Sequence, residues 1–199
     1  MTGNLKRGCP GKNHGWALRS AAGFTMIEML MALAIVSIAF GTIYKSFEQL
    51  NRSTATENVK AGTQQAVRIA VDFMVHDIRL AGLNPLGSPG IGIQDASSQK
   101  IQFTMDANFD GDDEDTFEDI TYAYNSANGT LIQTNHIGAM VLIDKITSLN
   151  FTYLDSDDQT TSDLDEIRSV TISLTMQRPA GRDEDISRTY TTRVRCRNL

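Results

Sequence analysis

The chain has 199 residues, of which 41% are hydrophobic and 21% are charged, and its formal net charge is −6. This composition excludes a disordered or collagen-like chain, and two cysteines are too few for a disulfide-stapled scaffold. The acidic balance argues against nucleic acid as a partner, and the averages conceal a very uneven distribution of charge and hydropathy.

The N-terminal segment is basic and is followed by an apolar run. The first 23 residues carry four basic side chains and no acidic one, whereas residues 24–44 carry a single charge, that of Glu28. A helix of about 20 apolar residues crosses the roughly 30 Å hydrocarbon core of a bilayer. A basic segment before such a run predicts a membrane segment whose basic end stays in the cytoplasm.

Two ordinary interpretations of this segment leave its carboxylate unexplained. A secretory signal would be removed after the apolar run, but the run continues past the small residues Ser37–Ala39 to Tyr44. A permanent signal anchor gives no reason for Glu28, because an acid inside the membrane costs about 2–3 kcal/mol. Glu28 therefore requires a function of its own.

The residues at the start of the apolar run resemble the class III leader of type IV prepilins and pseudopilins. The stretch Gly23–Glu28 (GFTMIE) combines a terminal glycine, an aromatic residue and a glutamate five positions after the glycine. The resemblance implies that a prepilin peptidase cuts between Gly23 and Phe24 and methylates the new amine of Phe24. It also implies that Glu28 pairs with the N-terminal ammonium of a neighbouring subunit, since two buried opposite charges offset each other's desolvation. The alternative is that Glu28 extends to the membrane interface.

Cleavage at Gly23 changes the charge and the cysteine content of the chain. Removal of 23 residues leaves 176, and the net charge moves from −6 to −10 because four basic residues leave. Cys9 also leaves, so Cys196 remains alone and no internal disulfide can form. Cys196 continues an apolar alternation, which predicts a buried thiol, with an intermolecular disulfide as the alternative.

One long helix is predicted from Phe24 to Leu80, because helix-forming residues continue without a proline until Pro85. Asp77 falls within the apolar face of its second half, where it either pairs with an arginine of the folded domain or marks a frayed helix end. Residues 82–92 contain four glycines and two prolines, which end the helix. At 100° per residue, the predicted apolar face consists of Ala66, Val67, Ala70, Phe73, Met74, Ile78 and Ala81.

Beyond this loop the apolar pattern has period two, which predicts β-strands, and Asn128-Gly129 predicts a hairpin turn. The predicted fold class is α+β. The resemblance makes it the type IV pilin fold, in which a long helix, half transmembrane and half amphipathic, packs on a C-terminal antiparallel β-sheet. The alternating residues are Ile101 and Phe103; Ile120, Tyr122 and Tyr124; Leu149, Phe151 and Tyr153; Val170, Ile172, Leu174 and Met176; and Tyr190, Thr192, Val194 and Cys196.

Four segments follow from these boundaries. They are a cleaved basic leader (1–23), a transmembrane and assembly helix (24–45), an amphipathic continuation of the helix (46–81) and a globular antiparallel β domain (82–199).

A finer resemblance lies where the helix ends. Residues 73–82 (FMVHDIRLAG) resemble the D-I-R-x-A-G segment of PilW-type minor pilins, and the later motifs EDITY, LNFTYLD and IRSVTI are similar to that family in order. The resemblance implies a minor pilin that takes part in, and primes, assembly of a type IV pilus. J-type pseudopilins of type II secretion share much of the pattern, so a minor pseudopilin remains an alternative.

The same resemblance implies partners and a location. The partners are the prepilin peptidase/methyltransferase, other minor and major pilins, the inner-membrane assembly platform and, before assembly, the lipid bilayer; no nucleic acid is expected. The implied location is the bacterial inner membrane, as a single-pass protein with a periplasmic globular domain, and then an extracellular pilus or a periplasmic pseudopilus.

No enzyme is predicted. The three histidines lack metal-ligand spacing and a neighbouring nucleophile motif, and no glycine-rich phosphate loop opens a helix. An unprocessed, signal-anchored enzyme is the alternative. The histidines are His14, His76 and His136.

An acidic loop, residues 106–119 (DANFDGDDEDTFED), holds eight acidic residues. Its opening D-x-N-x-D-G is typical of a calcium loop, in which alternate oxygens face the ion. The closing position holds Phe117, however, so an EF-like Ca²⁺ loop on a sheet edge and a solvated acidic turn both remain alternatives. With calcium, the chain would be a membrane-anchored calcium-dependent adhesin or binding module. The candidate Ca²⁺ ligands are Asp106, Asn108, Asp110, Asp112, Glu114 and Glu118.

The C-terminal region has the opposite charge. Its arginines pair with acidic loops, pair with a neighbouring subunit, or lie solvated on a strand face, and the sequence favours none of these alternatives. They are Arg178, Arg182, Arg188, Arg193, Arg195 and Arg197.

Overall fold

The computed structural model describes residues 23–181 and 185–199, so most of the predicted leader and Arg182 lie outside the described residues. One long helix precedes eight strands, and the strand pairs are all antiparallel, which confirms the α+β fold class and a layout consistent with the type IV pilin fold. The elements are α1 (Met26–Ile78), β1 (Ile93–Ser97), β2 (Lys100–Thr104), β3 (Asp119–Asn125), β4 (Thr130–Asn135), β5 (Gly138–Ile143), β6 (Ile146–Leu154), a short 3-10 helix (Leu164–Glu166), β7 (Ser169–Pro179) and β8 (Asp185–Arg195).

The chain divides into two compact units, Met1–Phe47 and Glu48–Leu199. In the described part of the first unit, every residue from Gly23 to Phe47 is exposed. Helix α1 is long and apolar enough to cross a membrane, and its most apolar window has no buried residue. The predicted membrane segment is therefore a helix that packs its apolar side chains on nothing within its own unit.

In the second unit, helix α1 buries a stripe of apolar residues at helical spacing. Most residues of the predicted apolar face are buried, which confirms the prediction for them. The prediction is wrong for Phe73, whose side chain is 57% exposed. Val71 is fully buried instead, so the stripe is centred further round the helix than the sequence pattern suggests. The buried apolar residues of this stripe are Val67, Ala70, Val71, Met74 and Ile78.

The helix ends at Ile78, two residues before the predicted Leu80. The N–H of Leu80 donates to the Asp77 carbonyl at 2.9 Å and that of Ala81 to the Ile78 carbonyl at 3.2 Å, so the last turn tightens to 3-10 bonding. Gly82 follows with φ +75°, and a Cβ there would collide with the Leu199 side chain. The positive φ and the close approach of the C-terminus therefore both favour glycine at the helix end.

The strands form two sheets, whereas the sequence predicted one. A five-stranded sheet has the order β1-β2-β3-β4-β5, and a three-stranded sheet has the order β6-β7-β8. The predicted hairpin is confirmed, since Asn125 pairs with Thr130 and Gly129 adopts φ +62° in the turn. Strand β5 was missed because its sequence, GAMVLI, does not alternate between apolar and polar residues.

The two sheets join at the turn between β1 and β2. The N–H of Phe151 donates to the Ser98 carbonyl at 2.8 Å, and the Tyr153 hydroxyl bonds the carbonyls of Ser97 and Lys100 at 2.8 and 2.9 Å. The inward residues of both sheets share one apolar cluster with the second half of α1. The alternation of apolar residues thus builds a single core in the second unit.

Candidate functional site

The predicted cleavage site lies in exposed, non-helical backbone immediately before α1. Gly23 to Thr25 precede the helix, and the Phe24 side chain is 79% exposed. No atom lies within 4 Å of the position that a Cβ on Gly23 would occupy. Within the described residues, the backbone at Gly23 and the side chain of Phe24 are therefore exposed, as access by a protease requires.

Thr25 and Glu28 form the start of the helix. The Thr25 hydroxyl accepts the N–H of Glu28 at 3.3 Å, and the Thr25 carbonyl accepts the N–H of Met29 at 3.2 Å. Thr-x-x-Glu is the pattern of a capping box, and an acid in the first turn also suits the positive end of the helix dipole. Glu28 thus contributes to the start of its own helix, a role that the sequence interpretation did not include.

The Glu28 carboxylate forms no ion pair within residues 23–181 and 185–199, and Glu28 is exposed. Large apolar side chains surround it along the helix, and the nearest of them are each more than half exposed. A soluble monomer rarely exposes an apolar surface of this extent, which indicates burial in lipid or against other helices. The nearest large members on either side are Phe24, Met26, Ile27, Met29 and Leu30.

Residues 18–44 match the prokaryotic N-terminal methylation motif, which is the class III leader of type IV pilin-like proteins. This match supports a type IV pilin-like or pseudopilin-like protein. The motif implies processing by a prepilin peptidase and association with other pilins, and together with the apolar helix it indicates single-pass membrane anchoring. It is typical of structural rather than catalytic proteins. None of the curated proteins matches the chain.

Two buried carboxylates organise the acidic loop, residues 106–119. Asp106 is fully buried and accepts the N–H groups of Phe109 and Gly111, at 2.6 and 3.2 Å. Glu118 is 1% exposed and accepts the N–H groups of Ala107 and Asn108 through one oxygen and that of Asp115 through the other. The two acids thereby stabilise the loop through its own backbone amides.

Only part of the predicted calcium ligand set converges. Ligand oxygens of Asp110, Asp112 and Glu118 lie within 4.8 Å of one another, whereas the Asn108 amide instead donates to Asp110 and Asp115. Hard Ca²⁺ takes about 6–8 oxygen ligands, so these three would need carbonyls or waters as well. Calcium binding by Asp106, Asn108, Asp110, Asp112, Glu114 and Glu118 therefore stays a prediction.

The late position of Glu118 has a structural explanation. Phe117 occupies the expected closing position with φ +71°, a backbone conformation that is rare outside glycine, and its side chain is 54% exposed. The chain turns there, and Glu118 rather than residue 117 enters the loop interior.

Asp77 lies at the helix end, as one alternative predicted, but the predicted arginine partner is wrong. The Tyr122 hydroxyl donates to its carboxylate at 2.5 Å, and the Gln133 amide donates to the same oxygen at 3.4 Å and to the Tyr122 hydroxyl at 3.2 Å. Burial raises the pKa of Asp77, while the Tyr122 hydrogen bond and the charge of His76 oppose that rise. The sequence signal that was missed is that Tyr122 alternates toward the core, where a buried hydroxyl needs a partner.

Of the predicted C-terminal arginines, Arg193 pairs with an acidic loop of its own unit. Its guanidinium forms an ion pair with Asp158 and donates from Nε to the Ser169 hydroxyl at 3.0 Å. The ion pair lowers the pKa of Asp158. Cys196 is 3% exposed, and burial raises the pKa of its thiol to about 11, which confirms the buried-thiol prediction.

Proposed function

We propose that the protein is a minor pilin subunit that takes part in, and primes, assembly of a type IV pilus. Its prepilin peptidase cuts after Gly23 and methylates Phe24. The observation that carries this proposal is the methylation motif at the start of an apolar helical segment whose residues up to Phe47 are all exposed in their own unit. A minor pseudopilin of a type II secretion system, which would use the same processing and the same helix, is the alternative.

The proposal assigns a role to each segment of the chain. Residues 1–23 are the discarded leader, 24–45 the transmembrane and assembly helix, 46–81 its amphipathic continuation, and 82–199 the globular domain. The helix waits in the bacterial inner membrane with the globular domain in the periplasm, and the assembly platform then extracts it. An apolar helix suits lipid and a bundle of similar helices almost equally, so extraction into a filament exchanges one apolar environment for another.

In this scheme, Glu28 sets the axial alignment of neighbouring helices. After cleavage, Phe24 carries a new ammonium, and the exposed Glu28 carboxylate pairs with the ammonium of a neighbouring subunit. In an apolar bundle each charge is costly alone and acceptable as a pair, so only one axial alignment of two helices satisfies both. The other pilins are therefore partners through this helix.

The test of processing replaces Gly23. The Gly23→Val variant should keep its leader and fail to assemble, because a branched side chain blocks close approach of the peptidase to the backbone. Gly41→Val is the matched control, since both glycines are exposed and neither has an atom within 4 Å of its Cβ position. Intact-mass spectrometry of membranes should show the control shortened by 23 residues and methylated. An unprocessed wild-type chain in cells that carry the peptidase would overturn the proposal.

The test of Glu28 separates its charge from its capping role. Glu28→Gln removes the charge but keeps a capping-box residue, whereas Thr25→Ala removes the cap and keeps the charge. We expect Glu28→Gln to be cleaved and to lose assembly by at least about tenfold, as measured by immunoblot of sheared filaments. Thr25→Ala should assemble nearly normally. The reverse order of effects would assign Glu28 to helix capping alone.

A further inference from the structure

Strand β5 is an unprotected edge of the five-stranded sheet. Among the described residues, no strand pairs with its outer side. Its sequence, GAMVLI, carries no charge, and Met140 and Val141, which point to opposite faces, are 56% and 57% exposed. An apolar edge with free backbone N–H and C=O groups is a template for pairing with another chain, and proteins normally block it.

The other three sheet edges carry such blocks. Strand β1 has a register shift between Ile93 and Asp95, and Asp95 pairs with Lys100 at 2.8 Å. The outer side of β6 is partly occupied by the other sheet, since the N–H of Phe151 donates to the Ser98 carbonyl at 2.8 Å, and β8 carries charged residues along its length. The register shift between β4 and β5 falls at Leu142, so residues 138–141 of β5 pair regularly with β4. The contrast marks β5 as an edge that is kept open.

Two apolar grooves lie beside this strand, and each is lined partly by β5 itself. One has a volume of about 260 Å³ and includes Phe117, Ile137 and Met140; the other, of about 330 Å³, includes Phe73 and Leu142. Ten large apolar side chains are exposed in the described part of Glu48–Leu199, and six of them lie on β5 or line these grooves. Such clustering is typical of an interaction surface. The six are Ile69, Phe73, Phe117, Ile137, Met140 and Val141.

The surroundings of β5 are mostly acidic, although Arg178 lines the groove beside Leu142 and Lys145 follows the strand. No lysine or arginine occurs between Ile101 and Asp144, a stretch with nine acidic residues. The acidic loop approaches the turn before β5, because the His136 ring nitrogen Nε2 lies 3.0 Å from the Asp113 carbonyl oxygen. Phe117 of that loop also lines the same groove as Met140. A segment that docks on this edge is therefore attracted if it is basic and repelled if it is acidic.

We propose that β5 accepts an extended strand from a different polypeptide of the assembly, in which apolar and basic residues alternate. The main-chain groups of β5 would bond that strand and extend the sheet, its apolar residues would fill the two grooves, and its basic residues would face the acidic loop. The inference goes beyond subunit processing and helix pairing, since it depends on neither Gly23 nor Glu28.

The test uses the full-length chain in non-ionic detergent and three short synthetic peptides of equal length. The first alternates valine with arginine, the second alternates valine with glutamate, and the third is the first with two central prolines. We expect the first peptide to slow hydrogen exchange of the 138–143 amides and to bind at least about tenfold more tightly than the others. Proline removes the N–H donors that strand addition needs.

Variants with matched exposure check the site. Val141→Lys places a like charge on the edge and should weaken binding of the arginine peptide by at least about tenfold. Leu50→Lys is the control, because Leu50 is 65% exposed on α1 and outside both grooves, and its binding should equal that of the wild type. Circular dichroism should show both variants folded, since neither residue is buried.

Three outcomes would overturn the proposal. Equal binding of the arginine and glutamate peptides would remove the charge argument, and exchange protection away from 138–143, or none with any peptide, would remove the site. Concentration-dependent protection of β5 and β8 in the protein alone would make a second copy the occupant. A chain that is processed normally yet gives any of these results leaves the proposed function intact and rejects the strand acceptor.

Discussion

The residues of 24–47 and those of 48–199 use apolar side chains in opposite ways. In the first region every described residue is exposed, including large side chains such as Met31 at 63%. In the second region the apolar side chains converge on one core, where Met74 is fully buried. The first region therefore obtains its apolar surroundings from outside the chain, and the second supplies them itself.

The two regions also differ in where the free energy of apolar burial comes from. Burial of apolar surface contributes about 25 cal/mol per Å², but only where water is removed. Residues 24–47 bury their apolar surface only in lipid or against other helices, so their stability depends on what surrounds the chain. Residues 48–199 gain it on folding, so changes there are expected to alter the free energy of unfolding.

The largest expected effect comes from one pair of methionines. Met74→Ala should lower the free energy of unfolding by about 2–5 kcal/mol, because it removes buried atoms and leaves a cavity. Met31→Ala should leave it unchanged, because Met31 packs on nothing in its own unit. Denaturation of the full chain in detergent, followed by near-ultraviolet circular dichroism of the tyrosines, measures both. Equal losses would show that the two regions fold as one.

The next effect concerns the buried hydrogen bond between Tyr122 and Asp77. Tyr122→Phe leaves the Asp77 carboxylate with only the longer contact to Gln133, and should cost about 1–3 kcal/mol. Tyr190→Phe is the matched control, since the Tyr190 hydroxyl forms no hydrogen bond within the described residues. The same denaturation experiment compares them, and a neutral Tyr122→Phe would mean that water replaces the hydroxyl.

Calcium is expected to affect only the second region. If the loop binds Ca²⁺ with a Kd of about 0.1 mM, then about 1 mM Ca²⁺ should raise the free energy of unfolding by about 1.4 kcal/mol. Asp110→Asn combined with Asp112→Asn should abolish the rise, whereas Asp72→Asn on the exposed helix surface should not. No calcium dependence in the wild type would favour the solvated acidic turn.

The smallest expected effect is a pH dependence at Asp77. Its folded pKa is raised above the ordinary value near 3.8, so its contribution to stability is complete below that value and is lost as pH rises through the folded pKa. Asp77→Asn keeps an acceptor for Tyr122 and removes the titration. The unfolding free energy of the wild type, relative to this variant, should therefore fall as pH rises above about 4. A relative rise over that range would show that Asp77 is stabilised as an anion.

The predictions from sequence were accurate where the signal is local. The Asn128-Gly129 turn, the strand alternations and the buried Cys196 each depend on neighbours within a few residues, and the structure confirms them. The predicted arginine partner of Asp77, which is a contact at long range along the chain, was wrong. Asp77 bonds Tyr122, 45 positions away along the chain, and nothing in the residues beside Asp77 indicates a tyrosine rather than an arginine.

The acidic loop shows the same limit within a functional site. The sequence shows the acidic composition of the loop and its D-x-N-x-D-G opening. It does not show which carboxylates bond the backbone and which stay free for a cation. Two carboxylates turn inward to backbone amides, and Phe117 adopts a positive φ that shifts Glu118 into the loop. Which oxygens remain for a cation depends on that backbone path.

The sequence by itself determined the leader motif, the apolar helix, the helix-to-strand transition near Gly82 and the strand character of most segments. Each is specified by composition and periodicity along a short stretch of chain. Only the tertiary structure decided that the strands form two sheets, that Phe73 lies outside the core and that β5 is an open edge. These features depend on which surfaces meet in space, since alternation fixes the buried face of a strand but not its neighbour.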